Sequence, residues 1–233
     1  MNMNNKVPQH IVLFPDGNRR WAREQGLPTL KGHWEGYKNL LKFCRWCQKR
    51  GVKILTAFGF STENWNRSKK EVNYLMKLFE RGLSNKKHIK DLQKDKVKVK
   101  IIGQKERLPK TLQKVIANIE NLTKNNNNLQ LNLAVSYGGR WDILQAVQKI
   151  VQKKIPASKI TEELISEHLS TAGLPEPDLI IRAGGERRLS NFVLWQGAYS
   201  ELYFAKKYWP AFTEKDLDEA LEEYARRQRR FGQ

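Results

Sequence analysis

The stretch that decides the fold is His10-Ile11-Val12-Leu13-Phe14-Pro15-Asp16-Gly17-Asn18-Arg19-Arg20-Trp21. Its first five residues show no polar alternation, so they read as a strand buried on both faces. Pro15 and Gly17 break that strand, and the chain then enters a helix start carrying two arginines. A carboxylate, a glycine and two guanidiniums at a helix start suit a metal-chelated phosphate. Asp16 can hold Mg²⁺, Gly17 lets the backbone come close, and free N–H groups with Arg19 and Arg20 take the oxygens. The same residues also make an ordinary helix cap with arginines on the surface. This segment alone leaves the two readings open.

The pattern repeats outward from there. Val52–Phe60, Val97–Ile102, Leu129–Ser136 and Asp178–Arg182 read as further strands. Between them Tyr37–Arg50, Lys70–Leu83, Pro109–Thr123, Trp141–Lys153 and Thr161–Leu169 show helical spacing. Thr213–Gln228 closes as a helix capped by Thr213, with Glu214 and Asp216 in the first turn and arginines in the last. Strands alternating with helices predict a mostly parallel sheet covered on both faces, with ligands beyond the carboxyl ends of its strands.

Composition narrows the partner. The 233 residues include 43 Lys+Arg against 24 Asp+Glu, a formal charge of +19, which calls for a polyanion: nucleic acid, anionic lipid or a phosphorylated small molecule. With 39% hydrophobic residues the chain can fill a core, so it is not a disordered polycation. No apolar run reaches the roughly 20 residues of a membrane span. The opening residues lack the apolar region of a secretory signal, and two cysteines fit a reducing cytoplasm. Lys86–Lys124 holds twelve basic and four acidic residues with almost no aromatics. That argues against a single-strand nucleic-acid platform and leaves a solvated lysine face or a contact with anionic membrane.

The loops after the other strands carry the same chemistry. Ser61-Thr62-Glu63-Asn64-Trp65-Asn66-Arg67 crowds orienting polar groups, an aromatic and an anion-binding arginine together, just before Glu71 opens a helix. After the last strand, Arg182, Arg188 and Ser190 flank Gly184-Gly185, suiting a second phosphate group. Glu201, in the strand-like Ser200–Phe204, adds a carboxylate. Two arginine-bearing phosphate sites, one or two carboxylates for Mg²⁺ and nearby aromatics suggest an enzyme that joins phosphate-bearing apolar substrates, or a binder of them.

These segments together resemble the cis-prenyltransferase family. His10 with Asp16–Ala22 and Gly32-His33 is similar to its first block, and Phe58–Arg67 with Glu71-Val72 to its second. Tyr137–Arg140 is similar to the third; Arg182–Asn191, Trp195-Gln196, Ala198-Tyr199 and Glu201–Phe204 are similar to the fourth and fifth. The resemblance spans residues 10–232 and implies a six-stranded, mostly parallel α/β sheet flanked by helices. It further implies one catalytic domain over 1–233, forming a homodimer in the cytoplasm. The implied reaction joins isopentenyl diphosphate to an allylic diphosphate, farnesyl diphosphate first, to give a Z-polyprenyl diphosphate such as an undecaprenyl lipid-carrier precursor. Asp16 and Asn64 would be catalytic. Gly17, Asn18, Arg19, Arg20, Trp21, His33, Ser61, Glu63, Trp65 and Arg67 would bind substrate, with Arg182, Arg188 and Ser190 on isopentenyl diphosphate. Asp16 and Glu201 would position Mg²⁺, and the terminal Arg230-Phe231-Gly232 would reach a partner subunit. A short-chain or irregular coupling enzyme, a non-catalytic subunit and a basic nucleic-acid module are the competing readings.

The chain departs from the family pattern at Pro15, Thr29, Ser68, Ser136 and Ala183. Thr29 matters most, because an arginine there contributes to the allylic site; Lys31 or Arg23 could substitute. Gly59 leaves room beside Phe60, and Val72, Leu75, Met76 and Phe79 could wall a product tunnel or simply fill the core. Cys44 and Cys47 read as buried thiols, His88 and His168 as surface residues.

Overall fold

A computed structural model describes residues 7–228. The strands are β1 (His10–Phe14), β2 (Ile54–Ser61), β3 (Val97–Ile102), β4 (Leu129–Tyr137), β5 (Leu179–Arg182) and β6 (Glu201–Phe204). The α-helices are α1 (Asn18–Glu24), α2 (Thr29–Lys49), α3 (Lys69–Ser84), α4 (Lys86–Lys94), α5 (Lys110–Thr123), α6 (Gly139–Gln152), α7 (Glu162–His168) and α8 (Glu214–Arg226). The strands form one sheet in the order β3-β4-β2-β1-β5-β6, and every pairing is parallel. The expectation of a mostly parallel sheet thus becomes a wholly parallel one, because β6 also runs with its neighbour.

Alternation along β1 divides the core. Ile11 and Leu13 face a large cluster with Phe43 of α2, Leu75 of α3, Leu112 of α5 and Leu217 of α8. Val12 and Phe14 face the other way, toward Tyr137, Ile180, Phe192 and Val193. Residues two apart share a face, so one strand serves both layers, which is why it carries no polar alternation. Because β1 lies between β2 and β5, the loops after these three strands meet at the carboxyl edge of the sheet.

The ends of several elements differ from the sequence reading. α2 begins at Thr29 instead of Tyr37. Gly32 and Gly36 look like helix breakers, yet they lie where α2 crosses the start of α1. A Cβ at Gly32 would sit 2.0 Å from the Asn18 carbonyl oxygen, and one at Gly36 2.1 Å from Asn18 Oδ1. The lysine run also hides a helix, α4, started by Asn85, whose side chain accepts from the N–H groups of Lys87 and His88. His168 is buried, against expectation, its ring nitrogens meeting the Leu164 carbonyl and Lys153 Nζ. His88 is half-buried against Tyr37. Both cysteines are buried free thiols, and burial pushes Cys44 up to about 12. Arg230-Phe231-Gly232 lies outside the described residues.

Candidate active site

Gly17 sets the site's geometry. It caps α1 at φ 89°, a left-handed conformation natural to glycine, and a Cβ there would strike the Tyr208 ring at 2.5 Å. α1 has no side-chain cap and no acid in its first turn, so its leading N–H groups face the cleft unpaired within the helix. Asp16, at the tip of β1, stands beside them. Its Oδ1 accepts from the Gly17 N–H at 2.6 Å, and its Oδ2 receives Arg182 Nη2 at 2.8 Å.

Arg182 ends β5 and is 4% exposed. Besides Asp16 it donates to Ser190 Oγ at 3.0 Å and to the Arg188 carbonyl, and its guanidinium lies over the Phe14 ring. One fork therefore ties the tip of β1 to the loop after β5. That loop holds an unusual backbone: Gly184 and Gly185, then Ser190, Asn191 and Val193, all have positive φ. Left-handed non-glycine residues persist only where their surroundings over-determine them, a pattern concentrated at functional sites. Glu186 bridges Arg20 at 2.8 Å and Arg188 at 2.5 Å, so Arg20 belongs with this group.

A second group gathers on Glu71, a buried carboxylate of α3. Arg19 reaches it at 3.1 Å and Arg67 at 2.9 Å. His33 Nε2 stands 3.4 Å away, off hydrogen-bond geometry, and makes no hydrogen bond among the described residues. Burial lowers the His33 pKa, while the Glu71 charge opposes the fall. Ser68 caps α3 by accepting from the Glu71 N–H. Neither Glu71 nor Glu186 was foreseen as part of the site. The signal available was a lone acid placed among arginines, but the pairings span 52 and 166 residues.

Between the groups, Ser61 and Asn64 close a reciprocal cap at 3.2 Å each way, which fixes the loop after β2. Glu63 accepts from Asn191 at 2.7 Å; burial alone would raise its pKa, but this and neighbouring hydrogen bonds lower it. Asp16, Gly17, His33, Ser61, Glu63, Asn64, Ser190, Asn191 and the arginines of both groups line one cavity of about 900 Å³, while Glu71 and Glu186 stand behind its wall. Its mouth holds Arg19, Arg20, Arg23, Arg67, Arg182 and Arg188, and its depth is walled by Leu75, Leu78, Phe79, Leu83, Leu131 and Leu133. Gly59 lines its throat, while Val72 and Met76 turn into the core instead. Of the two residues that could stand in for an arginine at Thr29, Arg23 lines the mouth and Lys31 does not.

Three expected site residues stand elsewhere. Trp21 is half-buried on α1 and does not line the cavity. Trp65 donates to Ser136 Oγ at 2.8 Å beneath Arg107, which holds its loop against β4 instead of facing ligand. Glu201 starts β6 opposite Leu179, whereas Asp16 touches Arg182, three residues further along β5. At about 3.3 Å per residue that is roughly 10 Å along the sheet. Its carboxylate binds Arg227, so within one chain it does not join Asp16.

Among the described residues no group of three or more His, Cys, Asp or Glu side chains could hold a metal alone. Asp16 still suits Mg²⁺, which keeps waters and takes one or two carboxylates together with substrate phosphates. Among the described residues three buried side-chain polar atoms make no hydrogen bond: Asn18 Oδ1, His33 Nε2 and Arg182 Nε. All three belong to residues lining this cavity. A polar, arginine-rich mouth opening into an apolar tunnel takes an amphipathic anion whose charged head stays at the entrance.

Known proteins agree. The family model described as "Putative undecaprenyl diphosphate synthase" matches residues 14–232, and the chain belongs to that family, the cis-prenyltransferases. It is 46% identical to ditrans,polycis-undecaprenyl-diphosphate synthase ((2E,6E)-farnesyl-diphosphate specific) of Legionella pneumophila (strain Paris), over 99% of this chain and 98% of that protein. The isoprenyl transferase of Thermotoga maritima is 47% identical over 97% of each. A crystal structure of lavandulyl diphosphate synthase from Lavandula x intermedia, in complex with dimethylallyl diphosphate, matches with a TM-score of 0.93. It is 39% identical, covering 97% of this chain and 99% of that one.

Proposed function

We propose that the protein condenses isopentenyl diphosphate with an allylic diphosphate, farnesyl diphosphate first, building a long Z-polyprenyl diphosphate of the undecaprenyl kind. Such a product serves as a lipid-carrier precursor in cell-wall synthesis. The observation that carries this reading is the single cavity joining an arginine-lined mouth to a deep apolar tunnel. The allylic head would lie on the first N–H groups of α1 with Arg19, Arg67 and His33, and its chain would enter the tunnel. Isopentenyl diphosphate would sit on Arg182, Arg188 and Ser190, with Arg20 between the two heads.

Asp16 and the diphosphate oxygens would hold Mg²⁺, which when bound offsets charge on the leaving diphosphate. The arginines and the α1 N–H groups stabilise that same charge as the allylic C–O bond breaks. The isopentenyl double bond supplies the electron pair for the new C–C bond, and loss of a proton from the adjacent carbon restores a double bond with Z geometry. Asn64 lines the cleft with its Oδ1 held by the Ser61 N–H, which leaves the amide NH₂ for a ligand. Glu201 could join a metal site only if a second copy presented it.

The lavandulyl enzyme's likeness favours a second reading, a short or irregular coupling enzyme. A cavity of about 900 Å³ with an apolar wall favours a longer product instead. A homodimer is supported by an exposed apolar stripe on α6, Leu144, Val147 and Val151, at helical spacing. No helix among the described residues is long and apolar enough to cross a membrane. Buried free thiols suit the cytoplasm, and a product this greasy must pass to a membrane, so we infer peripheral contact with it. Incubation with labelled isopentenyl diphosphate, farnesyl diphosphate and Mg²⁺ should yield polyprenol-length products on chromatography. Failure of every allylic partner to be extended would sink the reading, and short products alone would favour the second one.

A further inference from the structure

The tunnel's far end lies against the lysine-rich surface. Leu41 of α2 and Leu92 of α4 line the deep end of the main cavity, and the same two side chains line a smaller surface pocket of about 260 Å³. Lys38, Lys42, Lys87 and His88 rim that outer pocket. Two leucines are therefore shared between the product tunnel and a basic surface.

The helix supplying Leu92 is lightly held. α4 is the one α-helix of the described residues without a buried residue. Ile89 and Leu92 only lean half-buried on the core. Few buried contacts place an element at the low end of local stability, where opening costs least. Tyr37, which lines the tunnel, meets His88 Nδ1 at 2.6 Å and donates to the Gly82 carbonyl at 3.1 Å, joining α2 to the α3–α4 corner.

The charge on this helix points outward. Lys86, Lys87, Lys90 and Lys94 are all exposed, and none forms an ion pair among the described residues. The nearby acids Asp91 and Asp95 are both engaged by Arg45 at 3.0 Å. Clustered lysines beside the leucine wall of the tunnel fit the surface of an anionic bilayer, toward which each basic residue contributes separately. α4 has no aromatic residue on which a base could stack, so a nucleic acid fits it less well.

We propose that α4 and the adjoining turns of α2 are the docking face for an anionic lipid bilayer, set over the leucine wall at the tunnel's far end so that displacement of α4 lets the finished product's tail pass directly into lipid. The exit half of this idea rests on the prenyltransferase reading; the docking half does not. Flotation with vesicles of phosphatidylcholine and phosphatidylglycerol in equal parts, against phosphatidylcholine alone, measures docking. The intact protein should bind only the anionic vesicles. Lys86→Gln/Lys87→Gln/Lys90→Gln should weaken that binding by about 100-fold, at roughly fivefold per lysine. A control with the same charge change elsewhere, Lys154→Gln/Lys159→Gln/Lys215→Gln, should change it by less than about tenfold. Equal losses in the two variants would overturn the docking face, as would equal binding to neutral vesicles. Tighter binding to an RNA oligonucleotide than to vesicles, lost in the α4 variant alone, would assign the face to nucleic acid and end the proposal. For the exit, anionic vesicles should raise steady-state turnover of the intact protein and not of the α4 variant, while single-turnover elongation is the same in both. Vesicle binding without that stimulation would overturn the exit, and absence of single-turnover elongation in the intact protein would instead refute the prenyltransferase reading.

Discussion

Two sets of buried polar groups lie at opposite ends of this sheet, and they are treated differently. Toward its amino end, His10 Nε2 and Asn132 Nδ2 both meet Thr56 Oγ1, at 2.8 and 3.0 Å, and His10 Nδ1 meets the Pro175 carbonyl at 2.8 Å. At the carboxyl edge Asn18 Oδ1, His33 Nε2 and Arg182 Nε make no hydrogen bond within the protein, although His33 stands 3.4 Å from Glu71. Leaving a buried polar atom unmet costs about 1–3 kcal/mol, so the closed set is architecture, whereas the open set leaves a donor, Arg182 Nε, for an anion. The same residue types thus do opposite work, and the difference lies in whether the fold completes their hydrogen bonds.

The contrast can be attacked from its most costly side first. Asp16→Ala should cut turnover by about 10³-fold or more while far-ultraviolet circular dichroism and the melting temperature stay near those of the intact protein. Near-normal turnover would remove Asp16 from the chemistry. Arg182→Lys should lose roughly 10²–10³-fold, because an ammonium lacks the fixed fork that reaches Asp16, Ser190 and the Arg188 carbonyl together. A loss below tenfold would show that charge alone suffices there. Leu83→Trp, deep in the tunnel, should leave the rate of the first condensation unchanged and shorten the final product; unaltered chain length would place the product elsewhere.

The closed set should answer only in stability. Thr56→Val should destabilise by about 1–3 kcal/mol in urea melts and leave turnover untouched at temperatures where the variant is folded. Lost turnover in a folded variant would erase the distinction drawn above. The smallest effect concerns pH. Burial lowers the His10 pKa from its ordinary 6.5, and His33 shifts the same way, so below that value the unfolded chain binds more protons than the folded one. Stability present above about pH 6.5 is therefore lost as pH falls through that value toward the lowered folded pKa values. Urea midpoints should fall over this window, and His10→Asn should flatten the fall. An identical slope in that variant would clear His10 of the effect.

Much of this was legible in the chain, for local reasons. Strand tips announce themselves because an apolar run, a Gly and a charged helix start are adjacent, so Asp16, Asn64 and Arg182 could be picked from the sequence. Pairing register is not local. Glu201 looked like a second metal ligand, but its parallel register against Leu179 sets it toward the far end of the sheet, on Arg227. Glu71 and Glu186 are not read as site residues in the sequence because their meaning lies partly in Arg19 and Arg20, brought from a distant segment. α4 hid in a lysine run because its apolar residues, Ile89 and Leu92, are too few to impose a period.

The strand order has a consequence for how the protein is made. β1 and β2 pair early, but the other side of β1 stays open until β5, from the last third of the chain, arrives. The bond from Arg182 to Asp16 joins residues 166 positions apart, so the centre cannot be assembled on a partly synthesised chain. Contacts of such long separation slow folding and leave an unpaired strand edge exposed meanwhile. A ribosome-bound intermediate ending before β5 would thus hold most of the tunnel but no completed mouth, and would need protection from aggregation until its last strands emerge.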